Sequence, residues 1–260
     1  MSHNNADETF RAVLRREPTE ISTPFQQVSR DFVFGEVWSR PGLSRKDRRW
    51  VALACVAGAD APGPIEAYVR ASLESGDIEL EEMLEFVLHF AVYSGWPKAS
   101  HLEGAVMRQW AQIHRDRGEE PAPWPTLSHS TLGISEWDER FEAGAREFAD
   151  VNLIPAPPHN TPYRHAGILN FVFGHVWQRP GLTRRERRII TVACVSFNDA
   201  ITPMRSHVGA ALHSGDITKS EMDEIVVQFS AYYGFAKGEA LSEVVEAAWA
   251  ERPAAQLAQK

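Results

Sequence analysis

Apolar side chains recur along most of the chain with the spacing of an amphipathic α-helix. The segment that follows Ser44, for example, carries Trp50, Leu53, Ala54 and Ala57 as one apolar stripe. No segment combines a sustained two-residue alternation with many β-branched residues, the pattern typical of strands. The pattern therefore predicts an all-α protein with almost no sheet.

Local signals indicate where several of these helices begin and end. Ser44 and Thr183 each open a Ser/Thr-x-x-Asp/Glu capping pattern, so a helix is expected to begin directly after each of them. Gly76 and Gly215 suit the left-handed position that ends many helices. The next helix after each glycine is expected to end where a tyrosine precedes a glycine turn.

The chain contains an internal repeat. Segments beginning at Phe32 and at Phe171 share the pattern Phe-Val-Phe-Gly-x-Val-Trp-x-Arg-Pro-Gly-Leu, an offset of 171 − 32 = 139 residues. The same offset, without a gap, pairs Cys55 with Cys194, Glu85 with Glu224 and Tyr93 with Tyr232. A period this long indicates a duplicated domain, because the units of a solenoid run to only about 20–50 residues.

The repeat predicts two tandem domains, residues 1–120 and 136–260, called copy one and copy two below. Prolines and a Ser/Thr/Gly cluster interrupt any helical period in the segment between them, which predicts a linker over residues 121–135. Helical apolar spacing resumes with Trp137, which is expected to lie in the first helix of copy two.

Composition narrows the class of protein. With 43% hydrophobic and 24% charged residues in 260, the chain can build a full core. A formal net charge of −8 argues against nucleic-acid binding. The polar amino terminus and the lack of a long apolar run predict a cytoplasmic protein without a membrane segment. Cys55 and Cys194 are far apart and are expected to be core thiols.

The repeated motifs resemble one known family. Gly-x-x-Trp-x-Arg-Pro-Gly-Leu, an arginine-rich capped helix, Gly-Asp-Ile and Tyr-x-Gly resemble the carboxymuconolactone decarboxylase family, of the superfamily that also holds the alkylhydroperoxidase AhpD. The likeness covers roughly residues 32–108 and 163–251. It implies an AhpD-like helical fold in two tandem copies. It also implies a ring of six domains, which two-domain chains would build as a homotrimer.

The resemblance further implies a reaction that needs neither metal nor cofactor. The family's reaction removes CO2 from a lactone carboxylate, so its site must stabilise an enolate oxygen and deliver a proton to carbon. The redox branch of the superfamily needs Cys-x-x-Cys ahead of the family histidine, which corresponds to His207. Copy two has Ala200 and Pro203 at the cysteine places, and copy one also lacks both cysteines. A dithiol peroxidase is therefore not expected.

Three residues are candidates for catalysis. The near-neutral pKa of an imidazole suits His207 as the proton donor. The guanidinium of Arg187 can bind a carboxylate through two hydrogen bonds. Tyr232 precedes the glycine turn and can offer its phenol to an enolate. Each of them can instead be structural: a hydrogen-bonded histidine, an arginine that ties neighbouring helices or subunits together, and a buried tyrosine that only satisfies its hydroxyl.

A second set of residues is predicted to line the substrate pocket, because they accompany the family motifs or occupy the equivalent places in the other copy. These are His175, Trp177, Arg48, Tyr68, Tyr93, Glu36, Trp38, His89 and Trp96. Copy one has Tyr68 where copy two has His207. We therefore expect one working type of site, built around His207, and the ring arrangement allows both copies to contribute to it.

Three functions remain open on the sequence. The first is a cofactor-free lyase that acts on a small carboxylated lactone or keto acid through an enolate. The second is an isomerase or cyclase for a more apolar, natural-product-like substrate, which would turn over without release of CO2. The third is a binding or scaffold protein that retains the ring without catalysis.

Overall fold

A computed structural model describes residues 3–120, 124 and 137–252 of the chain, and no strand occurs among them. The elements of copy one are α1 (His3–Leu14), α2 (Pro24–Val28), the π-helix π1 (Ser29–Val37), α3 (Arg45–Gly58), α4 (Pro62–Ser75), α5 (Leu80–Ser94) and α6 (Trp96–Asp116). Those of copy two are α7 (Trp137–Asn152), the π-helix π2 (Tyr163–Phe173), a 3₁₀ turn (Val176–Gln178), α8 (Arg184–Phe197), α9 (Ile201–Ser214), α10 (Lys219–Tyr233) and α11 (Phe235–Ala250). The predicted all-α class is confirmed.

The predicted start and stop signals are confirmed. The Ser44 hydroxyl accepts a hydrogen bond from the backbone N–H of Asp47 at the start of α3, and Thr183 forms a complete capping box at the start of α8. Helices α4 and α9 end at Gly76 and Gly215, whose φ angles are +67° and +79°. Most of the predicted linker lies outside the described residues.

The Phe-Gly-x-Val-Trp segment differs between the copies in a way that the repeat did not predict. In copy one the π-helix continues to Val37, whereas in copy two it ends at Phe173 and a 3₁₀ turn follows. Helix α7 crosses this segment very closely: a Cβ on Gly144 would lie 1.7 Å from the carbonyl oxygen of Leu169. Such a crossing requires glycine, and Gly174 on the other side has similarly little room.

Both copies contribute to one continuous hydrophobic core. Helix α3 packs against α8, α5 packs against α8, and α10 packs against α3. Cys55 and Cys194 lie buried in this shared core as free thiols, as predicted. Within the described ranges, no helix is both long and apolar enough to span a bilayer.

Ion pairs between the copies explain the Arg-Pro-Gly-Leu motif. Arg40 binds Glu224 in α10 at 2.7–2.9 Å, and Arg179 binds Glu85 in α5 at 2.5–3.0 Å. The glycine of the motif gives each glutamate room, because a Cβ on Gly181 would lie 2.6 Å from Cγ of Glu85. The motif therefore joins each copy to the other.

We predict that Gly181→Ala destabilises the protein by about 1–3 kcal/mol or more, because φ is +94° at this residue and the new methyl group meets Glu85. Gly63→Ala is the matched control: Gly63 lies in the first turn of α4 with no atom within 4 Å of the added Cβ. This change should stabilise by up to about 1 kcal/mol. Urea unfolding measures both, and equal midpoints for the two variants would contradict the prediction.

Candidate functional site

Two equivalent clusters of polar and aromatic residues lie where the copies meet. The histidine cluster comprises His207, Trp177, Arg187, His89 and Tyr93. The tyrosine cluster comprises the residues at the corresponding places of the repeat, namely Tyr68, Trp38, Arg48, Gln228 and Tyr232. Each cluster takes three side chains from one copy and two from the other, so neither copy forms a complete site alone.

The imidazole of His207 lies between two aromatic side chains. It is parallel to the Trp177 indole with ring centroids 5.9 Å apart, and it meets the Tyr93 ring edge-on at 5.7 Å. The Trp177 indole Nε1–H donates a hydrogen bond to the Tyr93 hydroxyl at 2.9 Å. Because α9 supplies His207 while α5 supplies Tyr93, this pair exists only when the copies are packed together.

His207 has an unmatched polar atom. Its side chain is only 5% exposed, and its Nδ1 has no hydrogen-bond partner within the described part of the chain. Burial, with a smaller contribution from the Arg188 charge, lowers the pKa of His207 to about 3. Buried polar atoms without partners are rare in native proteins, so a neutral imidazole with a free nitrogen indicates a place for a ligand.

The histidine cluster carries one positive charge, on the guanidinium of Arg187. Arg187 Nη2 donates to the backbone oxygen of Arg179 at 2.7 Å, but it lies 3.8 Å from the Glu85 carboxylate, which is bound by Arg179. Arg187 Nη1 lies 3.3 Å from Nδ1 of His89. Burial, together with the Arg187 charge, lowers the pKa of His89 well below its usual range. Neutral imidazoles beside a loosely paired guanidinium favour an anionic ligand.

In the tyrosine cluster, the hydroxyls and the charge are matched by partners within the protein. The hydroxyls of Tyr68 and Tyr232 hydrogen-bond to each other, and the Trp38 indole donates to Tyr232 at 2.7 Å. Arg48 binds Glu224 directly at 2.8 Å, so its charge is matched. Burial raises the pKa of Tyr68 to about 12, which keeps the phenol neutral. Two donor atoms of this cluster, Arg48 Nε and Gln228 Nε2, are buried without a partner in the described structure, but its hydroxyls and its charge are satisfied, which favours a structural role.

Two of the three predicted catalytic residues lie in one cluster without direct contact: Arg187 contacts His89, and His89 and His207 each contact Trp177 and Tyr93. His207 and Arg187 both belong to the histidine cluster, whereas Tyr232 contacts Tyr68 and Trp38 in the tyrosine cluster. The tyrosine beside His207 is Tyr93. The two tyrosines lie in different clusters because α5 and α10 each pack against the aromatic segment of the other copy.

Three predicted pocket residues lie farther out. His175 is half-buried, stacks on Phe171 at 6.1 Å, and has its pKa lowered by burial and by the Arg179 charge. Trp96, 57% exposed, contacts the same phenylalanine at 5.9 Å and so forms the outer rim with it. Glu36, at the place equivalent to His175, is exposed.

Sequence reasoning did not single out Glu85, Glu224 and Thr191, which the structure places in contact with residues of the two clusters or of the Arg-Pro-Gly-Leu motifs. The two glutamates were matched by the repeat, but only the structure shows that they bind arginines of the other copy. The Thr191 hydroxyl lies 2.8 Å from Nε2 of His89. A comparison of the copies could have identified this residue, because the equivalent place in copy one is occupied by Ala52.

A surface groove of about 720 Å³ lies apart from both clusters, between α9, α11 and the end of α7. It shares no lining residue with either cluster. We assign the site to the histidine cluster instead, because it holds the buried unmatched nitrogen of His207. Burial also raises the pKa of Cys55 well above its usual value and that of Cys194 to about 12, which disfavours thiolate chemistry at either residue.

Comparison with known proteins identifies relatives of this chain. The sequence profile of the Carboxymuconolactone decarboxylase family matches twice, at residues 24–107 and 165–247. The nitrosuccinic acid decarboxylase npaB of Metarhizium robertsii is 36% identical over 94 residues, which are 36% of this chain and 64% of that protein. The 4-carboxymuconolactone decarboxylase of Acinetobacter baylyi is 30% identical over 102 residues, 39% of this chain and 72% of that protein.

The chain belongs to the carboxymuconolactone decarboxylase family, because the two matches together cover more than half of it. Their positions are consistent with the two tandem copies inferred from the internal repeat. The chain spans less than two thirds of the fungal relative's length.

The low pKa of His207 has a consequence for stability. An unfolded histidine takes up its proton near pH 6.5, whereas folded His207 does so only near pH 3. The unfolded state therefore binds more protons in this window. The stability that His207 contributes is fully present above about pH 6.5 and is lost as the pH falls towards 3, by up to about 1.4 kcal/mol per pH unit. His207→Phe should remove this pH-dependent contribution to the free energy of unfolding.

Urea unfolding of both proteins between about pH 4.5 and 7.5 measures the effect. The free energy of unfolding should fall less steeply on acidification in His207→Phe than in the parent. The remaining slope in the variant includes the contribution of His89, which is also buried. Identical slopes in the two proteins would show that His207 titrates normally in the folded state.

Proposed function

We propose that this chain is a decarboxylase-like lyase that removes CO2 from a small organic acid at the histidine cluster. The observation that carries the proposal is the buried, unpartnered Nδ1 of His207, beside the Tyr93 phenol in a cluster that also holds the loosely paired Arg187. The family supports it, since both relatives are named as decarboxylases. As the family resemblance implies, the reaction is proposed to need no added metal or cofactor.

In the first step, the bond between the carboxylate carbon and its neighbour breaks, and CO2 leaves. The electron pair of that bond moves into an adjacent electron-withdrawing group, which becomes an oxyanion. Tyr93 can donate its phenol O–H to this oxygen, because its own oxygen already accepts from Trp177. Burial raises the pKa of Tyr93, so the phenol keeps its proton at neutral pH. A donor aimed at developing charge in a buried site is an effective catalyst.

In the second step, a proton is delivered to the carbon that lost CO2. His207 is neutral in the empty site, but a bound anion favours the imidazolium and raises the pKa of the ring. The proton then enters the site together with the anionic substrate. Transfer from His207 to carbon collapses the oxyanion and returns the imidazole to its neutral form, so protons and charge balance.

The site indicates a class of substrate. The names of the two relatives denote acids in which a carboxylate accompanies an electron-withdrawing nitro group or lactone carbonyl. The histidine cluster offers a cation for the carboxylate and flat aromatic walls at Trp177 and His207. A small, flat carboxylated lactone or keto acid, or a nitro acid, fits these features best. Release of CO2 separates this proposal from the isomerase, cyclase and scaffold alternatives.

We expect the purified protein to release CO2 from at least one member of a panel of carboxylated lactones, β-keto acids and nitro acids without added metal. Mass spectrometry of substrate and product measures the loss. His207→Gln should lower the rate about 100-fold or more, the usual contribution of a positioned acid or base. Tyr93→Phe should lower it by about 100-fold or more, as expected when an oxyanion donor is removed.

The tyrosine cluster supplies a matched control. Tyr68→Phe alters the place in copy one that corresponds to His207, and it should leave the rate within about threefold of the parent. Equal losses in Tyr68→Phe and His207→Gln would contradict a working site confined to the histidine cluster. Binding of an acid without any mass change would favour a scaffold, and a rearranged product of unchanged mass would favour an isomerase.

A further inference from the structure

The guanidinium of Arg187 is held by uncharged groups. Its Nη2 donates to the backbone oxygen of Arg179 at 2.7 Å, and its Nη1 lies 3.3 Å from Nδ1 of the buried His89. A guanidinium can only donate hydrogen bonds, so this nitrogen of the imidazole must accept. An imidazole with an accepting nitrogen is neutral and carries its single proton on the other nitrogen, which is Nε2 here.

Both ring nitrogens of His89 have partners. Nε2 lies 2.8 Å from the Thr191 hydroxyl oxygen, which can accept its proton. Burial, together with the Arg187 charge, lowers the pKa of His89 well below its usual range, which agrees with a neutral ring. The contact between His89 and Arg187 therefore fixes the position of the guanidinium without cancelling its charge.

The carboxylate of Glu85 is bound by a different arginine. Both of its oxygens accept hydrogen bonds from Arg179 at 2.5–3.0 Å, whereas it lies 3.8 Å from Arg187 Nη2, beyond hydrogen-bond distance. Buried charges in proteins are normally paired at closer range. The Arg187 guanidinium therefore favours a further anion beside it.

The tyrosine cluster has an equivalent arginine with a different result. Arg48 Nη1 donates to Oε1 of Gln228, an uncharged acceptor at the place that corresponds to His89. Arg48 Nη2, however, donates to the Glu224 carboxylate at 2.8 Å, so its charge is paired directly. An uncharged acceptor is thus common to both clusters, and the loosely paired guanidinium is the one in the histidine cluster.

We propose that His89 is a positioning residue: its Nδ1 holds the Arg187 guanidinium as an uncharged acceptor, so that the positive charge stays available to a bound carboxylate. This inference rests on the proposed function and extends it, since it assigns the binding of the acid to Arg187 as held by His89. An acidic side chain at residue 89 would neutralise the guanidinium, whereas an amide would preserve both the contact and the charge.

The kinetic test uses three substitutions of His89 and an acid that the panel shows to be decarboxylated. His89→Gln offers Arg187 an amide oxygen instead, so KM should stay within about threefold of the parent. His89→Leu removes the acceptor and should raise KM about tenfold. His89→Glu pairs the guanidinium with a carboxylate and should raise KM about 100-fold or more. In each variant kcat should change less than KM, because the guanidinium binds the acid before it reacts.

Gln228→Glu is the matched control, because it adds a carboxylate at the corresponding place of the tyrosine cluster, where Arg48 is already paired. It should leave KM and kcat within about twofold of the parent. Urea unfolding of all four variants shows whether each one is folded. A rise of KM in His89→Gln as large as in His89→Glu would overturn the positioning role, and so would a fall in kcat at constant KM in His89→Leu.

A second measurement does not depend on turnover. Isothermal titration calorimetry with benzoate, a flat monocarboxylate, should show saturable binding to the parent and to His89→Gln, and binding about 100-fold weaker to His89→Glu. No binding to the parent, or equal binding to the parent and His89→Glu, would overturn the proposal. The expected pattern of binding without decarboxylation of any panel member would contradict the proposed function and leave the role of His89 intact.

The direction of the hydrogen bond can be tested in the unmodified protein. In nitrogen-15 NMR spectra of the histidine-labelled protein, His89 should carry its proton on Nε2 and have a bare Nδ1. The signals of His89 are assigned by their loss in His89→Gln. A proton on Nδ1 would show that this nitrogen does not accept from Arg187, and it would overturn the proposal whatever the variants do.

Discussion

The architecture depends on buried arginine side chains, one of which in each copy faces a glutamate of the other copy. Helices α3 and α8 each carry two consecutive arginines of 0–1% exposure as their fourth and fifth residues. The second of each pair, Arg49 or Arg188, binds an aspartate of its own copy, whereas Arg48 binds Glu224 across the junction. Removing one partner from a buried pair typically costs about 3–5 kcal/mol. Separating the two copies would therefore leave buried charges without partners. The same packing of the copies forms the shared hydrophobic core.

This interlocking determines the composition of the candidate site. Helix α5 carries Glu85, His89 and Tyr93 on one face at four-residue spacing, and it presents that face to the other copy. Glu85 binds Arg179, which aligns α5 so that the other two side chains meet Trp177 and Arg187. The ion pair that joins the copies thus also positions the groups proposed for catalysis.

Duplication allowed the two clusters to diverge while the fold was kept. With Tyr68 at the place of the histidine and Ala52 at the place of the threonine, the tyrosine cluster has hydroxyls bonded to each other and an arginine charge paired with Glu224. The histidine cluster keeps an unmatched imidazole nitrogen and a loosely paired guanidinium, which are unfavourable in an empty buried site. Functional sites commonly retain such unsatisfied groups because a ligand completes them.

The sequence by itself determined the helical class, the duplication, the caps at Ser44 and Thr183 and the core position of both cysteines, because these depend on periodicity and on contacts close along the chain. It also singled out His207 and Arg187. Only the tertiary structure decided that Tyr93, and not Tyr232, lies beside His207, that the Thr191 hydroxyl meets His89, and that Gly174 ends the π-helix of copy two. Those outcomes depend on which helices contact each other between the two copies. The repeat pairs each residue with its equivalent in the other copy, but it does not show that α5 and α10 each contribute their side chains to the cluster of the other copy.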